Sequence, residues 1–150
     1  MAVRIELVDC SGRLAGSLWL GNFDRCYSLP DGQRCHVPQM VAWCRDCRAF
    51  VAAEAMPTLA EIDQVLQASR DAKELAEWQL VRRWRLLRTS PSRCLACFSS
   101  EIDAVPKNAR QITHPLTGEL LSINGVSFMD MAYLWQYTVE GLPLEETQSS

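Results

Sequence analysis

Residues 41–47 read VAWCRDC and residues 94–97 read CLAC, and these two stretches decide how the rest of the chain is read. In each, two cysteines stand two residues apart, the spacing at which a tight turn aims both sulfurs at one point. Together Cys44, Cys47, Cys94 and Cys97 supply a tetrahedral shell of four thiolates. Zinc suits that shell: its filled d shell imposes no competing geometry, its borderline softness favours sulfur, and four protein ligands leave no position for a reacting water. One structural Zn2+ is the expected cofactor. Iron in the same four sulfurs is the alternative ion, and reduced or redox-active thiols without metal the alternative chemistry.

The two pairs resemble the knuckles of zinc-ribbon proteins. The resemblance covers the knuckles and their adjacent strands, and it implies a β-rich metal-binding unit of the kind used for docking to other macromolecules. Two features depart from it. The chain from Cys47 to Cys94 is far longer than the roughly 15 to 20 residues common between such pairs, so a helical segment has to be inserted between the knuckles. Arg48 and Phe98 stand where ribbon knuckles often carry glycine. Trp43-Cys44-Arg45-Asp46-Cys47 also resembles the WCxxC of thioredoxin-like proteins, with Arg48 to Met56 as a short helix. That fold needs a strand, a crossover and a second strand around the motif, whereas the preceding region reads as a hairpin and turns.

Outward from the cysteines, the expected fold is α+β: short antiparallel strands with two knuckles, a long helical insertion and a C-terminal helix. Residues 3–8 and 18–20 read as short strands. Cys26 to Val37 is a hairpin turning on Pro30-Asp31-Gly32-Gln33. Thr58 and Glu61 form a capping box ahead of Leu59, Ile62, Val65 and Leu66 at helical spacing. The insertion, about residues 58–89, then runs to Pro91 as one helix or as a pair bent at Ser69-Arg70-Asp71. Gln111 to Ile123 reads as a second hairpin. Asn124-Gly125 reads as a turn before a last helix capped by Ser127 or Asp130 and stopped at Gly141 and Pro143. Residues 1–150 are taken as one zinc-binding domain with a frayed tail from about residue 145.

A hydrophobic share of 48%, a charged share of 22% and a net charge of -3 describe an ordinary globular chain with no global attraction to phosphate. Arg4, Glu6, Asp9 and Arg13 interrupt any signal-peptide run, and no stretch is long enough for a membrane span. Seven cysteines then point to a reducing, cytoplasmic setting. No HExxH, GxSxG, GxxxxGK[ST] or GxGxxG occurs, and neither His36 nor His114 begins the HxE segment of a zinc deaminase. No catalytic residue is nominated. His114 reads as a turn residue, and Cys10, Cys26, Cys35 and His36 as structural, since Cys35 and His36 would point to opposite faces of a strand.

Arg82, Arg83, Arg85, Arg88 and Arg93 follow one another without an intervening acid. On a helix Trp78, Arg82 and Arg85 share one face, a candidate interaction surface, while Leu80, Trp84 and Leu87 lie on the other. Arginines beside a tryptophan suit base stacking, but Glu74 and Glu77 blunt the patch. The sequence therefore favours a protein-binding module of adaptor, inhibitor or toxin-neutralising type over a nucleic-acid-binding zinc protein and over a CxxC redox protein.

Overall fold

The computed structural model describes residues 2–21, 25–129 and 135–144. Strand β1 (Ala2–Val8) pairs antiparallel with β2 (Leu14–Gly21) through a turn in which the Asp9 carboxylate accepts hydrogen bonds from the backbone N–H groups of Ser11 and Arg13. The hairpin β3 (Arg25–Ser28) and β4 (Arg34–Cys35) turns at the expected place. Then come β5 (Gln39–Cys44) and β6 (Ala49–Glu54), helices α1 (Leu59–Ala68) and α2 (Ala72–Leu87), and strands β7 (Ile102–Ala104), β8 (Gln111–Thr113), β9 (Leu120–Met129) and β10 (Trp135–Tyr137).

These strands form three small sheets. A four-stranded sheet has the order β2-β1-β9-β8; β10-β3-β4 and β6-β5-β7 are three-stranded. All pairings are antiparallel except β10 with β3. The mixed α+β class is as expected, with two helices among the described residues.

The insertion is a helical pair. Thr58 and Glu61 satisfy one another's backbone N–H groups at the start of α1, and the Asp71 carboxylate caps α2. The main core lies where this pair meets the β3–β4 hairpin: Ile62, Val81 and Trp84 pack with Tyr27, Leu29, Cys35, Val37, Leu95 and Tyr137. Tyr27 sits edge-on to Trp84 at 5.4 Å between ring centroids and beside Tyr137 at 5.1 Å.

Three expectations need correcting. Asn124-Gly125 is not a turn, and Ser127 caps no helix, because β9 continues through them to Met129 in a ladder with β1. The ladder carries a bulge between Gly125 and Ser127, opposite Ile5 and Arg4, and its pairing overrides a locally turn-like dipeptide. Trp135–Tyr137 is likewise a strand where the C-terminal helix was expected. Asp130 and the expected frayed tail lie outside the described residues. Leu87, grouped with Leu80 and Trp84 on one face of α2, is exposed, while Val81, Trp84 and Arg88 are buried.

Candidate metal centre

The first knuckle is the β5–β6 connection. Cys44 ends β5, the Cys47 N–H donates to Cys44 Sγ at 3.3 Å, and β6 departs from Ala49. The short helix considered after Cys47 is therefore strand β6, and a thioredoxin-like helix start is missing. In the second knuckle Ala96 N–H donates to Cys94 Sγ at 3.3 Å, while Phe98 N–H donates to the Cys94 carbonyl at 2.9 Å. Arg48 has φ 53° and Phe98 φ 66°, the two non-glycine residues in the left-handed region among those described. Each follows the second cysteine of its knuckle. Left-handed backbone costs an L-residue roughly 1–2 kcal/mol, so both knuckles adopt the glycine-favoring turn without the glycine.

Backbone hydrogen bonds hold the knuckles face to face. On one side the Glu54 N–H donates to the Arg93 carbonyl and Leu95 N–H to the Ala52 carbonyl, both at 3.0 Å, and Cys94 bridges to Ala53 of β6. On the other, β7 pairs with β5 so that Ile102 stands opposite Cys44, and Arg45 N–H donates to the Glu101 carbonyl at 2.9 Å. The second knuckle is thereby attached to both strands that frame the first.

The four sulfurs all lie within 4.8 Å of one another. Cys44 Sγ is 3.6 Å from Cys97 Sγ and Cys47 Sγ 3.9 Å from Cys94 Sγ. A tetrahedron with metal–sulfur bonds of about 2.3 Å has edges of about 3.8 Å, so the sulfur set fits a four-coordinate ion. Burial pushes the Cys47 thiol up, helped by the neighbouring sulfurs, and burial also raises Cys94. Four thiolates so close repel one another unless a cation sits among them. Val51 and Ile102 pack against the cluster.

Comparison with protein-family models, curated proteins and solved structures gave no match. The likeness to ribbon knuckles therefore rests on these residues and their geometry.

Glu54 and Arg88 explain how so long an insertion leaves the knuckles in register. Arg88, the C-cap of α2, binds Glu54 at the end of β6 through both guanidinium NH2 groups, at 2.9 and 2.6 Å, and both side chains are fully buried. The Glu54 carboxylate also accepts from the Tyr27 hydroxyl and, at 2.9 Å, from the Arg93 N–H, one residue before Cys94. The insertion is thus closed at its base beside the second knuckle. Sequence reasoning missed this pair, placing Arg88 in a basic patch and giving Glu54 no role.

The other arginines of that run also have partners. Arg82 binds Asp63 at 2.9 Å, Arg83 binds Asp31 at 2.7 Å, the Arg85 side chain donates to the Pro57 carbonyl, and Arg93 donates to the carbonyls of Phe98 and Glu140. Trp78 is half-buried against the core and lines a cleft of about 580 Å³ with Leu20, Met40, Met56, Val65, Val105 and Ile123. Gln39, Glu61 and Lys107 are among its polar members.

Cys26 and Cys35 are buried, with Cys35 pushed up to about 12 by that burial, and Cys10 is exposed. His36 Nδ1 bonds the Arg25 carbonyl. His114 Nδ1 accepts from the Leu116 and Thr117 N–H groups, while its ring meets Trp43 edge-on at 5.1 Å. None of these joins the four-sulfur cluster. Among the described residues no helix is long and apolar enough to cross a membrane.

Proposed function

We propose that this chain is a structural-zinc interaction module whose partner is another protein. The observation that carries the metal half is the convergence of Cys44, Cys47, Cys94 and Cys97 at the spacing of a tetrahedral ion. Four sulfur ligands close the shell, so the ion stabilises the fold and performs no reaction. A reducing, cytoplasmic setting suits thiolate ligands.

The cleft beside Trp78 supports a protein partner. Its walls are largely apolar and include Trp78, Met40 and Met56, residue types enriched at the centres of protein interfaces. The arginines that suggested nucleic acid are engaged with acceptors of the same chain, and the net charge is -3. A docking surface centred on the Trp78 cleft is therefore the preferred reading; Arg82 and Arg85, held by Asp63 and the Pro57 carbonyl, do not line it.

Selection of a random displayed-peptide library against the metal-loaded protein tests it. Enriched apolar peptides should bind at least tenfold more weakly to Trp78→Ala, with metal content unchanged. Failure to enrich any peptide, or indifference to Trp78, contradicts the protein-docking reading. RNA or DNA binding that falls steeply with salt and with Arg82→Ala and Arg85→Ala would support nucleic acid instead.

A further inference from the structure

The four cysteines are unequally covered. Cys44 and Cys94 are fully buried, Cys47 is half-buried and Cys97 is exposed. The 3.6 Å contact from Cys97 Sγ to Cys44 Sγ joins the most exposed of the four residues to a buried one across the two knuckles. The second close contact, 3.9 Å between Cys47 and Cys94, also crosses between knuckles.

We propose that Cys97 is an oxidative modification site of the metal centre: its thiolate is the first to attack a hydroperoxide, and the centre closes as a Cys44–Cys97 disulfide with release of the ion. This rests on the metal reading of the same four cysteines. Access selects Cys97, because a peroxide must reach the sulfur along the axis of the breaking O–O bond. The Cys97 thiolate takes one peroxide oxygen and becomes a sulfenic acid; the O–O bond breaks and the other oxygen leaves as an alcohol, or as water from hydrogen peroxide, after taking up a proton. The Cys44 thiolate then attacks the Cys97 sulfur and displaces hydroxide, which is protonated to water. Two electrons pass from the sulfur pair to the peroxide.

Closing the bridge requires the sulfurs to approach by about 1.5 Å, to the disulfide length of about 2.05 Å. Cys47 and Cys94 are then the only thiolates left for the ion, too few to hold it in a closed site. The new bond ties β5 to the second knuckle, so the two halves of the centre stay together after the ion leaves. A dithiol reductant and fresh metal should restore the original state.

The test uses the full chain with Cys10→Ser, which removes the exposed thiol outside the centre. Metal-loaded protein is treated with equimolar hydrogen peroxide, ion release is followed with a chromophoric chelator, and bridges are mapped by mass spectrometry of an unreduced digest. In parallel, limiting N-ethylmaleimide applied to the unoxidised, metal-loaded protein identifies the first sulfur alkylated. The expected results are a Cys44–Cys97 peptide as the main bridge, formed in step with ion release, and at least tenfold more label on Cys97 than on Cys44 or Cys94. A centre that holds one ion per chain yet keeps it through peroxide treatment, or closes within a knuckle as Cys44–Cys47 or Cys94–Cys97, overturns this proposal alone. A folded chain that binds no ion overturns it together with the metal reading.

Discussion

Glu54 and Arg88, 34 residues apart, form a fully buried bidentate ion pair at the base of the helical insertion. Every guanidinium N–H of Arg88 has an acceptor, since Ser90, Pro91 and Val139 carbonyls take the remaining bonds. Gly141 lies directly over the pair with φ 80°, and a Cβ there would stand 2.7 Å from Glu54 Oε2 and 2.9 Å from both terminal nitrogens of Arg88. The C-terminal segment can approach this closely only because residue 141 has no side chain.

Arg88→Met should therefore destabilise the metal-loaded protein by about 3 to 5 kcal/mol, because it leaves the Glu54 carboxylate buried without a counter-charge. Replacing both, as Glu54→Leu with Arg88→Met, should recover much of that loss. Urea unfolding of the three proteins with zinc in excess measures the difference. A single-site loss below 1 kcal/mol would contradict the role given to the pair.

Arg48 and Phe98 occupy equivalent backbone positions but should respond oppositely to glycine. Arg48 is exposed, so Arg48→Gly mainly relieves left-handed strain and should stabilise by about 0.5 to 1 kcal/mol after the entropy glycine adds to the unfolded chain. The Phe98 ring packs on the core near Tyr137, so Phe98→Gly should destabilise despite the same relief. Thermal unfolding of the two variants at fixed zinc gives both signs.

What was legible in the sequence is what short spacing encodes. The two cysteine pairs, the Thr58/Glu61 capping box, the bend at Ser69–Asp71 and both hairpin turns each occupy a few consecutive residues, and each is found where its local chemistry places it. Asn124-Gly125 failed because the pairing of β9 with β1 through both residues outweighs a turn preference. Glu54 and Arg88 were invisible because nothing local marks a charge whose partner arrives from a distant element. The same holds for Arg82 and Arg83, whose acceptors sit on α1 and in the β3–β4 turn.

Glu140 links the C-terminal segment to the end of α2. Partial burial works against its ionisation, but the Thr89 hydroxyl and the Thr89 and Ser90 N–H groups outweigh it and hold the carboxylate at about 2, below the usual value. A depressed carboxylate stabilises the fold above its unfolded pKa, about 4.3, and that contribution fades as pH falls toward 2. Glu140→Gln should thus lower stability at neutral pH by an amount on the order of 1 kcal/mol, solvent screening included, and the gap from wild type should narrow below pH 4. Urea midpoints of the two zinc-loaded proteins, followed downward from pH 7 for as long as zinc stays bound, measure it.

The most direct test of the central claim is the metal content of freshly purified protein by elemental mass spectrometry, alongside Cys94→Ser. About one zinc per chain is expected, with the variant losing both metal and folded structure, because a closed four-sulfur shell contributes on the order of 10 kcal/mol to a small domain at neutral pH. A folded wild-type chain without metal, which takes none up when reduced and supplied with zinc, would contradict it.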